Sequence, residues 1–295
     1  PHYQVARFVA PNFMAGNTII LKHAPQCPKT AEVIADMFKE VGVPEGVYNN
    51  IFATNEQAAT IIHDKRVQGI SLTGSERAGQ AVAKEAGGAL KKVVLELGGS
   101  DAFIVAADAD IKQAIKGAIS GRFGNAGQAC NAAKRLIVLE SVYDKFVEGF
   151  TDAVRGMTLA DPLDEKTFIG PMSSKAAAVN LQAQLDSAVE AGATVLVEGG
   201  LVKDKPGAWF KPAVLTDVTE SMDVYREELF GPVAVVYKAR DVDHAIKIAN
   251  DVPFGLGASI QTQDAALAAD IADKLEVGMV TINAPSGTEA NTPFG

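Results

Sequence analysis

The amino-acid sequence predicts an α/β fold divided into two domains. Apolar runs of strand length alternate with longer segments of helical period along most of the chain, and the links between them are short. This alternation is typical of parallel strands joined by helices that cover both faces of a sheet. At 295 residues the chain is long enough for two domains of ordinary size.

The first 98 residues predict strands and helices in strict alternation. The periodicity opens the first helix at Thr30 and closes it at Gly42. This order implies right-handed crossovers and a doubly wound, nucleotide-binding sheet. The paired glycines of LELGGS (95–100) suggest a hinge, so we place the domain boundary between residues 98 and 99. The predicted strands are 17–22, 47–52, 67–73 and 91–97, and the predicted helices are 28–42, 55–64 and 75–87.

Residues 99–295 repeat the alternation and form the second predicted domain. The predicted strands are 101–106, 136–140, 194–199, 232–238, 257–263 and 278–283, and the predicted helices are 109–121, 141–155, 174–191, 241–250 and 264–275.

Composition excludes several classes of protein. The chain has 27 basic and 36 acidic residues and no basic stripe, which argues against binding to nucleic acid or to an anionic membrane. No apolar run approaches the roughly 20 residues of a membrane span. Two cysteines cannot form a disulfide framework, which predicts a cytoplasmic protein. Because the chain starts within an apolar pattern and stops in a turn-rich stretch, we expect a fragment truncated at both ends.

Residues 72–79, LTGSERAG, stand between a predicted strand and a predicted helix. Glycine allows a phosphate to approach the backbone, and a helix N-terminus offers it free N–H groups. Gly74 and Ser75 are therefore candidate phosphate contacts, and Ser75 is also a predicted helix cap. The spacing is neither that of a dinucleotide fingerprint nor that of a P-loop, so an ordinary capped turn is the alternative.

Glu96 ends the apolar strand VVLEL. A carboxylate at the carboxyl end of a parallel strand faces the crevice where ligands bind, so Glu96 is a candidate general base. The alternative is a carboxylate that caps a helix or pairs with Lys91 or Lys92.

Cys130 lies in RFGNAGQACNAAKR, where Gly124 and Gly127 open the chain. We expect a helix to begin there, and its N-terminus would stabilise a thiolate and hold an oxyanion. An inert packed thiol is the alternative. Cys27, between two prolines, is interpreted as structural. The four histidines are not clustered with acidic residues or cysteines, so no metal site is predicted.

Taken in order, the strings LKHAP, LTGSERAG, LELGG, NAGQAC, EELFGP and PFGLGASI resemble the NAD(P)-dependent aldehyde dehydrogenase superfamily over essentially the whole chain. LELGGSDAFIV, GQACNAAKR and ELFGPVA are most similar to its bacterial succinate-semialdehyde dehydrogenases. The resemblance implies a Rossmann-type cofactor domain (1–98), a catalytic domain (99–295), NAD or NADP as cofactor, a small aldehyde substrate and a homo-oligomer. It also implies a nucleophile, Cys130, a general base, Glu96, and the cofactor contacts Lys22, Gly74, Ser75, Glu228 and Phe230.

Three departures from the family pattern affect these expectations. The family's oxyanion-hole asparagine belongs to a string of which Pro1 matches only the last residue. Pro25 stands where many relatives have a glutamate that binds the ribose 2′-hydroxyl. Gly124 replaces an arginine that binds the substrate carboxylate, and Arg122 is a possible substitute.

Several functions stay open at this stage. They are a dehydrogenase for another small aliphatic aldehyde, a cofactor-binding protein without turnover, and a dehydrogenase that passes the acyl group to phosphate or CoA. Glu96 argues against the last, because those reactions need no activated water.

Overall fold

The chain divides into two units in the computed structural model, which describes residues 2–288 and 292–294. The units are Pro1–Leu97 and Gly98–Gly295. The division lies one residue from the boundary that the glycine pair of LELGGS suggests.

Unit 1 consists of helices and short strands in alternation. Its elements are α1 (His2–Met14), β1 (Ile19–Lys22), α2 (Pro28–Glu40), β2 (Tyr48–Ile51), α3 (Asn55–His63), β3 (Gly69–Thr73), α4 (Glu76–Gly88) and β4 (Lys92–Glu96).

The strands of unit 1 pair in parallel, as the alternation predicts. β1 pairs with β2, and β3 pairs with β4 so that Thr73 faces Glu96. Within the described residues these are two separate pairs and not the single continuous sheet that we expected. Periodicity predicts where each strand lies along the chain, whereas pairing depends on hydrogen bonds between distant segments.

Two helix starts in unit 1 differ from the prediction. α1 was not predicted as a helix, although its apolar face is buried through Val5 and Val9 against Ile19. α2 begins at Pro28 and not at Thr30, with Cys27 at the N-cap. Proline is well suited to the first position of a helix, because its missing N–H would have no partner there.

Unit 2 contains the larger sheet and the larger core. Its elements are β5 (Ala102–Val105), α5 (Ile111–Phe123), β6 (Arg135–Leu139), α6 (Glu140–Arg155), α7 (Lys175–Glu190), β7 (Thr194–Val197), β8 (Gly200–Leu201), β9 (Phe210–Lys211), β10 (Ala213–Thr216), β11 (Val233–Ala239), α8 (Val242–Asn250), β12 (Gly257–Gln261), α9 (Ala265–Lys274) and β13 (Met279–Ile282).

The sheet of unit 2 is covered on both faces. Among the described residues its strand order is β13-β12-β5-β6-β11-β10-β7, and every pair is parallel except β10 with β7. Successive side chains of a strand point to opposite faces. Ile104 accordingly packs in the cluster formed with α7, α8 and α9, whereas Phe103 and Val105 pack in the cluster formed with α5 and α6. The apolar strands that the sequence shows are therefore buried on both sides.

β10 is the sheet strand that the prediction omits. It has only four residues, AVLT, and all of them are buried. A run this short gives no periodicity of its own, and its place is set by β11 on one side and by β7 on the other.

Among the described residues, no helix is long and apolar enough to cross a membrane. The same residues contain no group of three or more His, Cys, Asp or Glu side chains that could hold a metal ion.

Candidate active site

Cys130 lies in a turn between a helix and a strand of unit 2. α5 ends at Phe123, residues 124–127 form a tight turn, and β6 begins at Arg135. We refer to residues 124–134 as the Cys130 loop. The expectation that a helix begins beside the thiol is wrong, so no helix N-terminus stabilises a thiolate there.

The backbone of the Cys130 loop adopts left-handed conformations shortly before the cysteine. Asn125, Ala126 and Gly127 adopt left-handed φ values of 53°, 54° and 72°. For the two residues that carry a side chain, this conformation costs about 1–2 kcal/mol each. Gln128 holds the turn, because its amide donates to the Asn125 carbonyl at 3.2 Å and accepts from the Ser173 N–H at 2.8 Å.

Lys134 contacts the backbone of the Cys130 loop through its buried side chain. Its side chain is 1% exposed, and Nζ donates to the carbonyls of Ala129 and Cys130, each at 2.8 Å. Nζ also lies 3.1 Å from Oε1 of Glu228. Burial lowers the pKa of Lys134 to about 8, while the Glu228 carboxylate opposes this shift. A single buried cation thus contacts both the cysteine backbone and a predicted cofactor-binding residue.

Glu228 and Phe230 lie next to this cation. Oε1 of Glu228 accepts a second hydrogen bond, from the Gly99 N–H at 3.1 Å, and the Glu228 side chain is 18% exposed. The ring of Phe230 is 42% exposed and its centroid lies 5.8 Å from Nζ of Lys134. Three of the predicted site residues, Cys130, Glu228 and Phe230, are therefore neighbours in unit 2.

The glycine pair of LELGGS has a steric role in this arrangement. A Cβ atom at Gly98 would lie 2.5 Å from Oε2 of Glu228, and one at Gly99 would lie 2.5 Å from the carbonyl oxygen of Cys130. Real Cβ atoms do not approach oxygen so closely. Both glycines are thus needed for the approach of Glu228 and the Cys130 loop, whether or not they also form a hinge.

Arg122 does not have the role that was suggested for it. The side chain is 0% exposed, and Nη2 donates to the backbone carbonyls of Gly127, Leu229 and Gly231. A guanidinium enclosed in this way cannot meet a substrate carboxylate. It instead joins the Cys130 loop to the segment that carries Glu228.

Glu96 ends β4 in unit 1 and has a partner that sequence reasoning missed. Oε2 lies 4.0 Å from Nη2 of Arg7 on α1, and the two side chains are 25% and 21% exposed. Nη2 of Arg7 also lies 3.4 Å from Oγ1 of Thr73. The alternative pairing with Lys91 is absent from the described contacts of that lysine, which donates to the carbonyls of Ile62 and Asp64. Arg7 on α1 is the feature of the sequence that could have predicted this partner.

The remaining predicted contacts, Lys22, Gly74 and Ser75, stand at the carboxyl ends of unit 1 strands. Ser75 is the N-cap of α4, as predicted, and its Oγ accepts from the Ala78 N–H. The Ser75 hydroxyl hydrogen is thus available to donate. The Gly74 N–H instead donates to the Glu96 carbonyl at 2.9 Å, so it is not a phosphate donor. Lys22 ends β1 and is partly exposed.

These residues fit an anionic dinucleotide. Among the described residues, the atom nearest to a Cβ built at Gly74 belongs to the Ala78 side chain and lies 3.7 Å away, so a ligand has room to approach the backbone there. Ser75 offers a hydroxyl, α4 offers its N-terminus, and Lys22 offers a cation. Gly79 instead allows close packing, since a Cβ there would lie 2.6 Å from the Leu97 side chain, which packs on α4.

Asp101 gives a pH-dependent prediction about unit 2. It is 2% exposed, its Oδ1 accepts from the Gly257 N–H at 3.2 Å, and burial raises its pKa to about 6. Because the folded-state pKa exceeds the unfolded value, its stabilising contribution is complete at pH below about 4 and is lost as pH rises through 6. We expect Asp101→Asn to gain about 3 kcal/mol over the wild type between pH 4 and pH 8, measured by urea unfolding.

Asp108 is the matched control for this measurement. Although burial acts to raise its pKa, hydrogen bonds from Thr262 and from backbone N–H groups lower it overall. Asp108→Asn should therefore show the opposite sign and lose stability relative to the wild type as pH rises from acid to neutral. Parallel pH profiles for the wild type and Asp101→Asn would contradict the assignment.

The chain is similar to succinate-semialdehyde dehydrogenases over its whole length. The NADP(+) succinate-semialdehyde dehydrogenase of Deinococcus radiodurans is 49% identical over 295 residues, which are 100% of this chain and 62% of that relative. The NAD(P)+ succinate semialdehyde dehydrogenase Sad of Escherichia coli strain K12 is 43% identical, over 100% of this chain and 64% of that relative. The chain thus spans just under two thirds of the length of these proteins.

Solved structures show the same fold. Succinic semialdehyde dehydrogenase from Streptococcus pyogenes, in complex with NADP+, has a TM-score of 0.96 and 41% identity, and the match covers 99% of this chain and 64% of that chain. The predicted α/β, aldehyde dehydrogenase-like fold is confirmed. All residues from 1 to 295 match the family described as the aldehyde dehydrogenase family. The chain belongs to the aldehyde dehydrogenase family.

Proposed function

We propose that the protein oxidises an aldehyde, succinic semialdehyde before others, to the carboxylate with NAD or NADP. The observation that carries the proposal is the juxtaposition of Cys130 and Glu228 around Lys134. A carbon bound to the cysteine can lose a hydride only to a nicotinamide held beside it, so a nucleophile and a ribose-binding carboxylate must be neighbours. The relatives named above support the choice of substrate.

The proposed chemistry uses Cys130 and Glu96 in succession. The Cys130 thiolate attacks the aldehyde carbon, a C–S bond forms, and the carbonyl oxygen becomes an oxyanion. A bound nicotinamide supplies the acceptor for the hydride, which leaves a thioester on Cys130. Glu96 takes a proton from water, the hydroxide attacks the thioester, and the C–S bond breaks with the electron pair returning to sulfur. The carboxylate is then released.

Five residues of the chain are proposed to contact the cofactor. We assign Lys22, Gly74 and Ser75 to the adenine ribose and the pyrophosphate, and Glu228 and Phe230 to the nicotinamide side. Pro25 supports acceptance of NADP, because it offers no carboxylate to repel a 2′-phosphate, and Lys22 would attract one. The NADP(+) and NAD(P)+ dehydrogenases named above support the same choice. A cofactor-binding protein without turnover is the competing function, and it would leave Cys130 unreactive.

The substrate carboxylate needs an accessible cation, and Arg122 is not one. Arg7 offers a partly exposed guanidinium beside Glu96, the base proposed to act at the acyl carbon. The distal carboxylate of succinic semialdehyde lies only a few bonds from that carbon, so a cation at this place is within its reach. We therefore assign Arg7 to the substrate carboxylate.

The test compares succinic semialdehyde with butyraldehyde, its uncharged analogue. Arg7→Met in the full-length protein should lower kcat/KM for succinic semialdehyde by roughly 10- to 100-fold more than for butyraldehyde, the difference expected for one ion pair. Lys29→Met removes a cation that is 82% exposed on α2 and serves as the control. A wild-type ratio of kcat/KM near one would reject succinic semialdehyde, whereas no oxidation of either aldehyde would reject the dehydrogenase.

The proposal also includes a cytoplasmic homo-oligomer that acts on a small molecule. The low cysteine count supports a reducing compartment, and the family resemblance supports the oligomer. The acidic balance of the chain supports a partner other than nucleic acid.

A further inference from the structure

Lys134 forms a bridge that the family resemblance does not assign. Its ammonium group contacts three acceptors, the carbonyls of Ala129 and Cys130 and the Oε1 atom of Glu228. An ammonium group has three N–H donors, so these three contacts use its full donor capacity. One end of the bridge is the backbone of the proposed nucleophile, and the other is the carboxylate proposed to bind the ribose.

Burial makes this bridge sensitive to any change at Glu228. Lys134 is 1% exposed, and the other charged groups that act on it are Arg122, which disfavours its charge, and Asp101, which favours it. A buried ammonium ion is stable only while a carboxylate and good hydrogen bonds compensate for lost hydration. If Glu228 turns toward a ligand, the ammonium must adjust, and the carbonyl of Cys130 must adjust with it.

We propose that Lys134 is a positioning residue that couples cofactor binding at Glu228 to the placement of Cys130. This inference rests on the proposed function, since it takes Cys130 as the nucleophile and Glu228 as a cofactor contact. Lys134 contacts neither the substrate nor the reacting atoms. It acts through the backbone of the Cys130 loop, so that ribose binding and thiol orientation change together.

A purely structural role is the competing explanation, and Arg135 provides the matched control. Arg135 is the next residue, is 4% exposed, and likewise has three acceptors, which are the backbone carbonyls of Ser100, Ile248 and Ala249. It differs from Lys134 in that its described hydrogen bonds reach neither Cys130 nor Glu228. Lys134→Met and Arg135→Met therefore remove comparable buried cations and differ in the contacts under test.

The experiment measures how NADP changes the rate at which iodoacetamide alkylates Cys130 in the full-length protein. Peptide mass spectrometry separates Cys130 from Cys27, and the readout requires no turnover. We expect saturating NADP to change the wild-type rate by at least about threefold. In Lys134→Met the ratio of rates with and without NADP should approach one, and the Kd for NADP should rise about tenfold. Arg135→Met should lose thermal stability and keep the wild-type ratio.

Glu228→Gln keeps the inference testable if Lys134→Met fails to fold. It removes the charge from the other end of the bridge and leaves the lysine in place, and it should abolish the NADP effect in the same way. An NADP effect that persists in either variant, or that is missing from the wild type, overturns the coupling. If no aldehyde is oxidised but NADP still controls alkylation through Lys134, the proposed function fails and the coupling stands.

Discussion

Replacement of Cys130 by alanine is expected to abolish aldehyde oxidation while NADP still binds. A hydride leaves the aldehyde carbon only after that carbon has become tetrahedral, and without the thiol nothing adds to it. The loss should be on the order of 10⁴-fold or more in kcat. Reduced cofactor is followed by absorbance, and cofactor affinity by titration of protein fluorescence.

Cys27→Ala is the control for this variant. Cys27 precedes α2 at its N-cap and makes no side-chain capping hydrogen bond there, so its loss should leave the rate unchanged. Retention of more than a few per cent of the wild-type rate by pure Cys130→Ala protein would reject Cys130 as the nucleophile.

Glu96→Gln is expected to separate the two halves of the reaction. Acylation of Cys130 does not need the base, whereas hydrolysis of the thioester does. The variant should therefore release a burst of about one equivalent of reduced cofactor and then turn over at least about 100-fold more slowly than the wild type. Stopped-flow absorbance resolves the burst from the steady state.

Glu85→Gln, also in unit 1, is the control for Glu96→Gln. Glu85 pairs with His63 on the surface, at 2.7 Å, and has no part in the proposed chemistry. It should keep wild-type kinetics. A steady state in Glu96→Gln equal to that of the wild type, without a burst, would show that another group activates the water.

The sequence predicted the framework of unit 2 well because its strands are buried on both faces. Continuous apolar runs such as AFIV and RLIVL have the signature of such strands, and β5 and β6 lie within one residue of the predicted positions. The short β10 was omitted, since four residues give too little pattern. Helix α1 was omitted although its amphipathic spacing was visible.

The candidate site was less predictable because its contacts join distant segments. The helix expected at Cys130 is replaced by left-handed residues, Asn125 to Gly127, that a composition rich in glycine and alanine does not reveal. Arg122 is enclosed by carbonyls of Leu229 and Gly231, which lie 107 and 109 residues away. No local pattern could distinguish this structural guanidinium from one that binds a substrate.

The proposed chemistry requires a thioester on Cys130, and trapping that thioester tests the chemistry directly. Glu96→Gln protein is mixed with succinic semialdehyde and NADP, quenched in acid during the burst, digested, and analysed by mass spectrometry. We expect one succinyl group on the peptide that contains Cys130, in an amount equal to the reduced cofactor released. Reduced cofactor released without acylation of Cys130, or a succinyl group on Cys27 instead, would contradict it.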